Sequence, residues 1–252
     1  MSVDYDAIAG AYDRRYLYND YSGVERAVTA FIGSGGDTRV LEVGCGTGHW
    51  LQSLRKSGVG IAIGLDASMG MLMRGEVRGS VVHGLAENLP CTTESFDRVF
   101  CVNALHHFDD KATFLVEARR VLRQGGRLMT IGLDPHVGTD QWYIYDYFES
   151  ALDTDRRRYP AAHQIRQWMH AAAFTDCVTR EIQHLPVRLP ARTALEQGRL
   201  AKGASSQLSL LTDEQYQKGI DRIRQGIESA EARGSSFYLT ADLRLFGTFG
   251  SV

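Results

Sequence analysis

Several features are scarce in this chain of 252 residues. There are four cysteines, Cys45, Cys91, Cys101 and Cys177, scattered without metal-type pairing. That spacing excludes a disulfide-stapled scaffold, gives no reason to expect a metal, and makes reduced cytoplasmic thiols the default. Net charge is also small: 28 basic against 30 acidic residues leave −2, which argues against a general nucleic-acid binder. The one local basic block, Arg156-Arg157-Arg158 before Tyr159-Pro160, reads as a solvated helix end; an acidic substrate stays open as the alternative. No signal-peptide pattern and no long apolar span is present, so neither export nor membrane insertion is expected. Repeats and low-complexity tracts are absent as well.

The chain is long enough to bury one large core and reads as a single domain over residues 1–252. Its most informative stretch is Val40-Leu-Glu-Val-Gly-Cys-Gly-Thr-Gly-His49. An apolar run ends in Glu42, and three glycines at alternate positions follow, Gly44, Gly46 and Gly48. This reads as a parallel strand, a tight loop and a helix. Glycine reaches φ > 0 cheaply and lets a ligand approach the backbone, and the following helix presents its positive end. A dinucleotide fingerprint would need a third glycine at position 49. His49 stands there. A second strand pattern, Val59 to Leu65, closes on Asp66. Asp66 is placed either to accept vicinal ribose hydroxyls or to cap the helix that follows.

The glycine pattern resembles the first motif of the class I S-adenosylmethionine-dependent methyltransferases. Further segments match in order: Val81-Val-His-Gly-Leu-Ala-Glu-Asn-Leu-Pro90, the strand Ser95 to Asn103 followed by Ala104-Leu-His-His-Phe108, and Val121 to Ile131 with its Gly-Gly turn. Together they cover residues 38–133 and resemble the small-molecule, quinone-biosynthesis-like branch. The resemblance implies a Rossmann-like, doubly wound α/β fold of seven strands, the last antiparallel. It implies S-adenosylmethionine as cofactor and S-adenosylhomocysteine as product. Glu42 and the loop Gly44, Cys45, Gly46 and Gly48 would line its methionine and ribose part. Asp66 would hold the ribose, Ala67 and Met71 would border the adenine, Ala86 would offer its backbone N–H, and the Asn103 carbonyl would meet the methionine ammonium. Leu85 stands where many relatives carry Asp. Adenine recognition then rests on backbone and apolar packing or on Glu87, which is equally readable as a solvated loop carboxylate.

Methyl transfer needs alignment and exclusion of water more than it needs acid–base chemistry. If the acceptor must lose a proton, His106 and His107 are the candidate bases; the alternative is that they shape the pocket wall or bind the cofactor's carboxylate. Residues 1–30 resemble the family's N-terminal lid, with Tyr5 and Tyr12 at recurring aromatic positions and Tyr12 counted among the cofactor contacts. Such a lid either closes on binding or packs permanently. Residues 135–165 and 188–233 read as cap segments, the first carrying aromatics from Trp142 to Phe148 that serve either core or acceptor. Helices are expected over 161–174 and from Thr212-Asp-Glu-Gln. Strands are expected at Thr175–Pro186 and Phe237–Phe246. The expected partner is a small-molecule acceptor methylated at O, N or C, with the protein a monomer or homodimer. The rival readings are a nicotinamide enzyme, a non-catalytic binding protein, and a methyltransferase acting on a macromolecule.

Overall fold

The computed structural model describes residues 5–6, 13–33, 36–56, 58–75 and 80–252. Tyr12 lies outside the described residues. The strands are β1 (Arg39–Val43), β2 (Ile61–Asp66), β3 (Val81–His83), β4 (Phe96–Val102), β5 (Leu122–Leu133), β6 (Gln141–Trp142), β7 (Thr175–Pro190) and β8 (Tyr238–Ser251). β3, β2, β1, β4 and β5 run side by side and parallel. β8 lies antiparallel to β5, to β6 and to β7. The sheet therefore has eight strands rather than seven. The additional one is the two-residue β6, too short for any alternation to be read from its sequence.

Strand alternation sends neighbouring residues to opposite faces. Leu41, Val43, Val99 and Cys101 pack with Phe114, Leu115 and Ala118 of the helix Lys111–Val121 and with Met169 of the helix Ala162–Ala171. Val40, Phe100 and Val102 pack with Val24, Val28 and Phe31 of the helix Ser22–Ile32 and with Trp50, Leu51 and Leu54 of the helix His49–Lys56. Helices on both faces explain why the parallel strands are apolar throughout. A third cluster belongs to the cap: Leu208, Leu211, Ile220 and Ile223 pack on Ile144, Phe148 and the strand ends Leu189 and Leu239. The segment over 142–148 thus supplies part of the cap's interior.

The order reverses at β1, which has β2 on one side and β4 on the other. In open α/β sheets, ligands bind outside the carboxyl ends of the strands at such a switch point. Gly44, Asp66 and Asn103 sit at the ends of β1, β2 and β4. Among the described residues, no helix is long and apolar enough to cross a membrane.

Candidate active site

The loop after β1 is set by its own backbone. Gly44, Gly46 and Gly48 have φ of +73°, +55° and +81°, a region costing L-residues roughly 1–2 kcal/mol each. Gly44 is also pressed against the fourth strand's exit, since a Cβ there would fall 2.4 Å from the Ala104 Cβ. The Gly44 and Cys45 N–H groups both donate to the Leu65 carbonyl, at 2.7 and 3.0 Å, and the Gly46 N–H donates to Asp66 Oδ2 at 2.7 Å. The loop's donors are thus largely spent internally, and what it offers a ligand is shape. Asp66 also accepts the Ser68 N–H at 2.8 Å. The helix Met69–Arg74 is capped by Ser68, not by Asp66, which resolves one of the two readings of that residue. A carboxylate has about four acceptor directions, so Asp66 retains capacity for hydroxyl donors. Burial raises its pKa against these hydrogen bonds.

A cavity of about 790 Å³ opens at these strand ends. Gly44, Gly46, Asp66, Ala67, Met71, Leu85, Ala86, Glu87, Asn103, His106 and His107 all line it. Leu85 is 59% exposed and so contributes little packing, and Glu87 accepts the Asp110 N–H at 3.2 Å. Three residues named from the sequence stay behind the wall: Glu42, Cys45 and Gly48. The Cys45 side chain joins the core beside Gly64, and Gly48 continues into the helix base, its N–H bonded to the Cys45 carbonyl at 2.9 Å. Glu42 is 1% exposed. Its Oε2 has no hydrogen-bond partner among the described residues, and burial, then the nearby Asp66, push its pKa well up. An orphaned carboxylate oxygen behind a glycine loop fits a ligand that brings a cation or hydroxyl donors. S-adenosylmethionine brings both.

Tyr5 and Asp6 line this cavity. The Tyr5 hydroxyl bonds to His107 Nε2, while Asp6 accepts the Gly70 N–H at 2.8 Å and a bond from Ser68. Further on, Asp13 accepts from the Thr47 hydroxyl at 2.6 Å. Tyr16 stacks on His49, with ring centroids 3.6 Å apart and planes 3° from parallel. His49, the residue that breaks the dinucleotide spacing, is thus a platform for the segment Arg14–Tyr18.

A second chamber of about 260 Å³ shares Tyr5, Asn103, His106 and His107 with the first. Its far walls come from the cap and from the aromatic segment, with Trp142 and Tyr143 at the surface of the chamber. The two histidines differ. His107 Nδ1 faces Arg158 Nη2 at 3.4 Å. A guanidinium can only donate, so the Nδ1 lone pair faces it and Nε2 carries the proton donated to Tyr5. His106 stacks on Tyr159, with centroids 3.8 Å apart at 14°, and its Nε2 is buried without a partner among the described residues. Burial first, then neighbouring positive charge, holds both imidazoles well below their ordinary pKa. Both are therefore neutral near pH 7.

Arg158 corrects a sequence reading. Arg157 is solvated, but Arg158 turns inward and pairs with the fully buried Asp155 at 3.2 Å. Asp155 also accepts from Tyr145 at 2.9 Å and from Gln207 at 2.8 Å, and Arg158 donates to Ser206 at 3.1 Å. The i,i+3 spacing of Asp155 and Arg158 was the available signal. Tyr159, missed from the sequence, had none.

Residues 41–130 match a family described as "Methyltransferase domain". The chain is 35% identical over 166 residues to the uncharacterized methyltransferase YcgJ of Bacillus subtilis, covering 60% of this chain and 62% of that protein. It is 37% identical over 101 residues to a demethylmenaquinone methyltransferase of Thermotoga maritima, covering 38% and 44%. It is 26% identical over 147 residues to a tRNA U34 carboxymethyltransferase of Campylobacter hominis, covering 55% and 50%. The chain thus spans about half the length of the curated relatives it matches. Among solved structures, a putative methyltransferase from an antibiotic biosynthesis pathway of Anabaena variabilis superposes with a TM-score of 0.67 at 20% identity, over 89% of this chain and 96% of that one. A phosphoethanolamine N-methyltransferase 2 of Haemonchus contortus in complex with S-adenosyl-L-methionine gives 0.60 at 16% identity, over 98% and 57%. These likenesses establish the fold. In motif order and family match, residues 41–130 are similar to the class I S-adenosylmethionine-dependent methyltransferases.

Proposed function

We propose that the protein transfers a methyl group from S-adenosylmethionine to a small-molecule acceptor. The observation carrying this reading is the junction of two chambers at Tyr5, Asn103, His106 and His107. One chamber has the glycine loop and carboxylates that suit the cofactor, and the other is walled by the cap. A walled chamber favours a small acceptor over a polynucleotide, and the demethylmenaquinone methyltransferase relative points the same way.

In this reading Asp66 holds the ribose hydroxyls, Met71 and Ala67 border the adenine, and the Ala86 N–H faces a ring nitrogen. The Asn103 carbonyl faces the methionine ammonium, and Glu42 lies buried behind the loop. When bound, the cofactor supplies a methyl carbon activated by a sulfonium: the acceptor's lone pair forms the new bond, the carbon–sulfur bond breaks, and its electron pair stays on sulfur as S-adenosylhomocysteine. The chain's own work is alignment and exclusion of water. Tyr5 bonds to His107 at the junction, and Asp6 to Gly70 at the first chamber. A hydroxyl or amine acceptor becomes strongly acidic as the methyl bonds to it, so a weak base suffices. His106 fits that role: it is neutral, and its Nε2 is buried and unpartnered among the described residues. His107 acts as a wall, its two nitrogens engaged by Tyr5 and Arg158.

The test begins with thermal melts in S-adenosylmethionine, S-adenosylhomocysteine and NADH. A ligand at a hundred times its Kd stabilises by about 2.7 kcal/mol, or roughly 5–10 °C for a chain of this size. The protein is then incubated with methyl-labelled cofactor and, separately, a small-metabolite extract and total tRNA. Label in the extract is the expected result. Label in tRNA alone, or a melt shift with NADH alone, overturns the proposal.

A further inference from the structure

The two chambers differ in charge. The first is lined by Asp6, Asp66, Glu87 and Asp109 and also by Lys111, Arg157 and Arg158. The second is lined by Arg14, Arg15 and Arg199 and, among the described residues, by no aspartate or glutamate. Building on the methyl-transfer reading, we propose that the second chamber takes an acceptor with a flat apolar body and an anionic group, carboxylate or phosphate, bound by Arg14 and Arg199.

Arg199 is pre-set for this. Its Nη2 donates to the Tyr18 carbonyl at 3.1 Å and its guanidinium lies 4.8 Å from the centre of the Tyr18 ring. A guanidinium has five N–H donors in a fixed fork, so one bond to the backbone leaves a face for an oxyanion. Among the described residues neither Arg14 nor Arg199 forms an ion pair with a carboxylate. Arg158 lines the first chamber, is already held by Asp155 and Ser206 and is not the anion site. Arg14 is exposed and Arg199 half-buried, so an oxyanion can reach both through charge-assisted, often bidentate hydrogen bonds. Trp142, Tyr143 and Tyr21 supply flat apolar wall for the rest of the acceptor. An anion here also lowers the cost of holding a sulfonium cation in the adjoining chamber.

The experiment titrates the protein, free and saturated with S-adenosylhomocysteine, with 2-naphthoate, 2-naphthyl phosphate and 2-naphthol by calorimetry at low salt. At least one anion should bind about tenfold or more tighter than 2-naphthol, as charged hydrogen bonds predict. The better of the two anions identifies the group. In the Arg14→Gln/Arg199→Gln double variant the preference should fall to about threefold or less, with S-adenosylhomocysteine affinity unchanged. Equal binding of the naphthol, an undiminished preference in the double variant, or no probe binding to either form overturns the inference. Failure of S-adenosylhomocysteine to bind overturns the methyl-transfer reading separately, because the anion preference is also measured on the free protein.

Discussion

The cofactor side of this molecule is made by the backbone, and the cap side by buried polar side chains. Around the first chamber, glycine dihedrals, two N–H groups on the Leu65 carbonyl and two more on Asp66 fix the loop, all within residues 44–68. Between the two chambers, Asp155 gathers Tyr145, Arg158 and Gln207, and Arg158, which lines the first, reaches on to Ser206 and His107 of the second, a span of about a hundred residues. A site built from local backbone geometry keeps its form across a superfamily, whereas one built from distant side-chain pairs can be re-specified by a few substitutions. On the proposed reading, the same molecule holds a general cofactor site against a particular acceptor site, joined at the His106–His107 turn.

If that division is right, the two sides break in different ways. The largest effect is expected at Gly44→Val. It places a branched side chain at φ +73° where even a Cβ meets Ala104 at 2.4 Å. S-adenosylhomocysteine binding should fall below detection by calorimetry; a variant that still binds would mean the loop does not set the first chamber. Next is Asp155→Ala, which strands the Arg158 guanidinium in a buried site. Breaking such a pair costs about 3–5 kcal/mol, or roughly 6–20 °C in Tm for a chain of this size. Cofactor affinity, measured below that Tm, should hold. A loss of affinity as large as the loss of stability would erase the distinction between the two sides. Asp66→Ala is smaller and of the opposite kind. Charged hydrogen bonds contribute about 1.5–3 kcal/mol, so affinity should weaken roughly 10- to 150-fold. Unchanged affinity would take Asp66 out of the ribose role.

The same division decides what could be read from the sequence. The loop after β1, the acidic end of β2, the Gly-Gly turn before β5 and the Thr212 cap are local patterns with local causes. The Thr212 hydroxyl does accept the Gln215 N–H at 3.1 Å, and Gln215 returns the bond at 3.0 Å. Non-local partners escaped. Arg158 looked solvated because its i,i+3 spacing from Asp155, the one available signal, does not tell that the pair is buried. The burial of Glu42, with Oε2 unpartnered among the described residues, carries no mark in its motif. His106 and His107 were indistinguishable as neighbours in sequence; Tyr159 under one and Arg158 beside the other separate them.

The smallest effect sharpens the comparison at the junction itself. His106 is buried neutral, so protons act on it through the unfolded chain. An unfolded histidine protonates near pH 6.5, while the native imidazole, held well below that by burial and neighbouring cations, does not. Below pH 6.5 the unfolded state therefore takes up a proton the native state refuses, and stability falls by about 1.4 kcal/mol per pH unit until the native pKa is reached. Glu42 opposes this. Its native pKa is raised, so between that value and the ordinary carboxylate range the native state holds the extra proton, and acid favours folding there. The raw pH curve mixes both, and His107 adds a term of the same sign as His106. His106→Phe keeps a ring to stack on Tyr159 and deletes one titrating group. Unfolding free energies of the two proteins, measured by denaturant from pH 5 to 7.5, should differ by a constant above about pH 7. Below about pH 6.5 the native-sequence protein should lose ground by about 1.4 kcal/mol per pH unit. Parallel curves throughout would mean the His106 imidazole takes a proton in the folded state, and the junction would then hold a charge where an uncharged base is required.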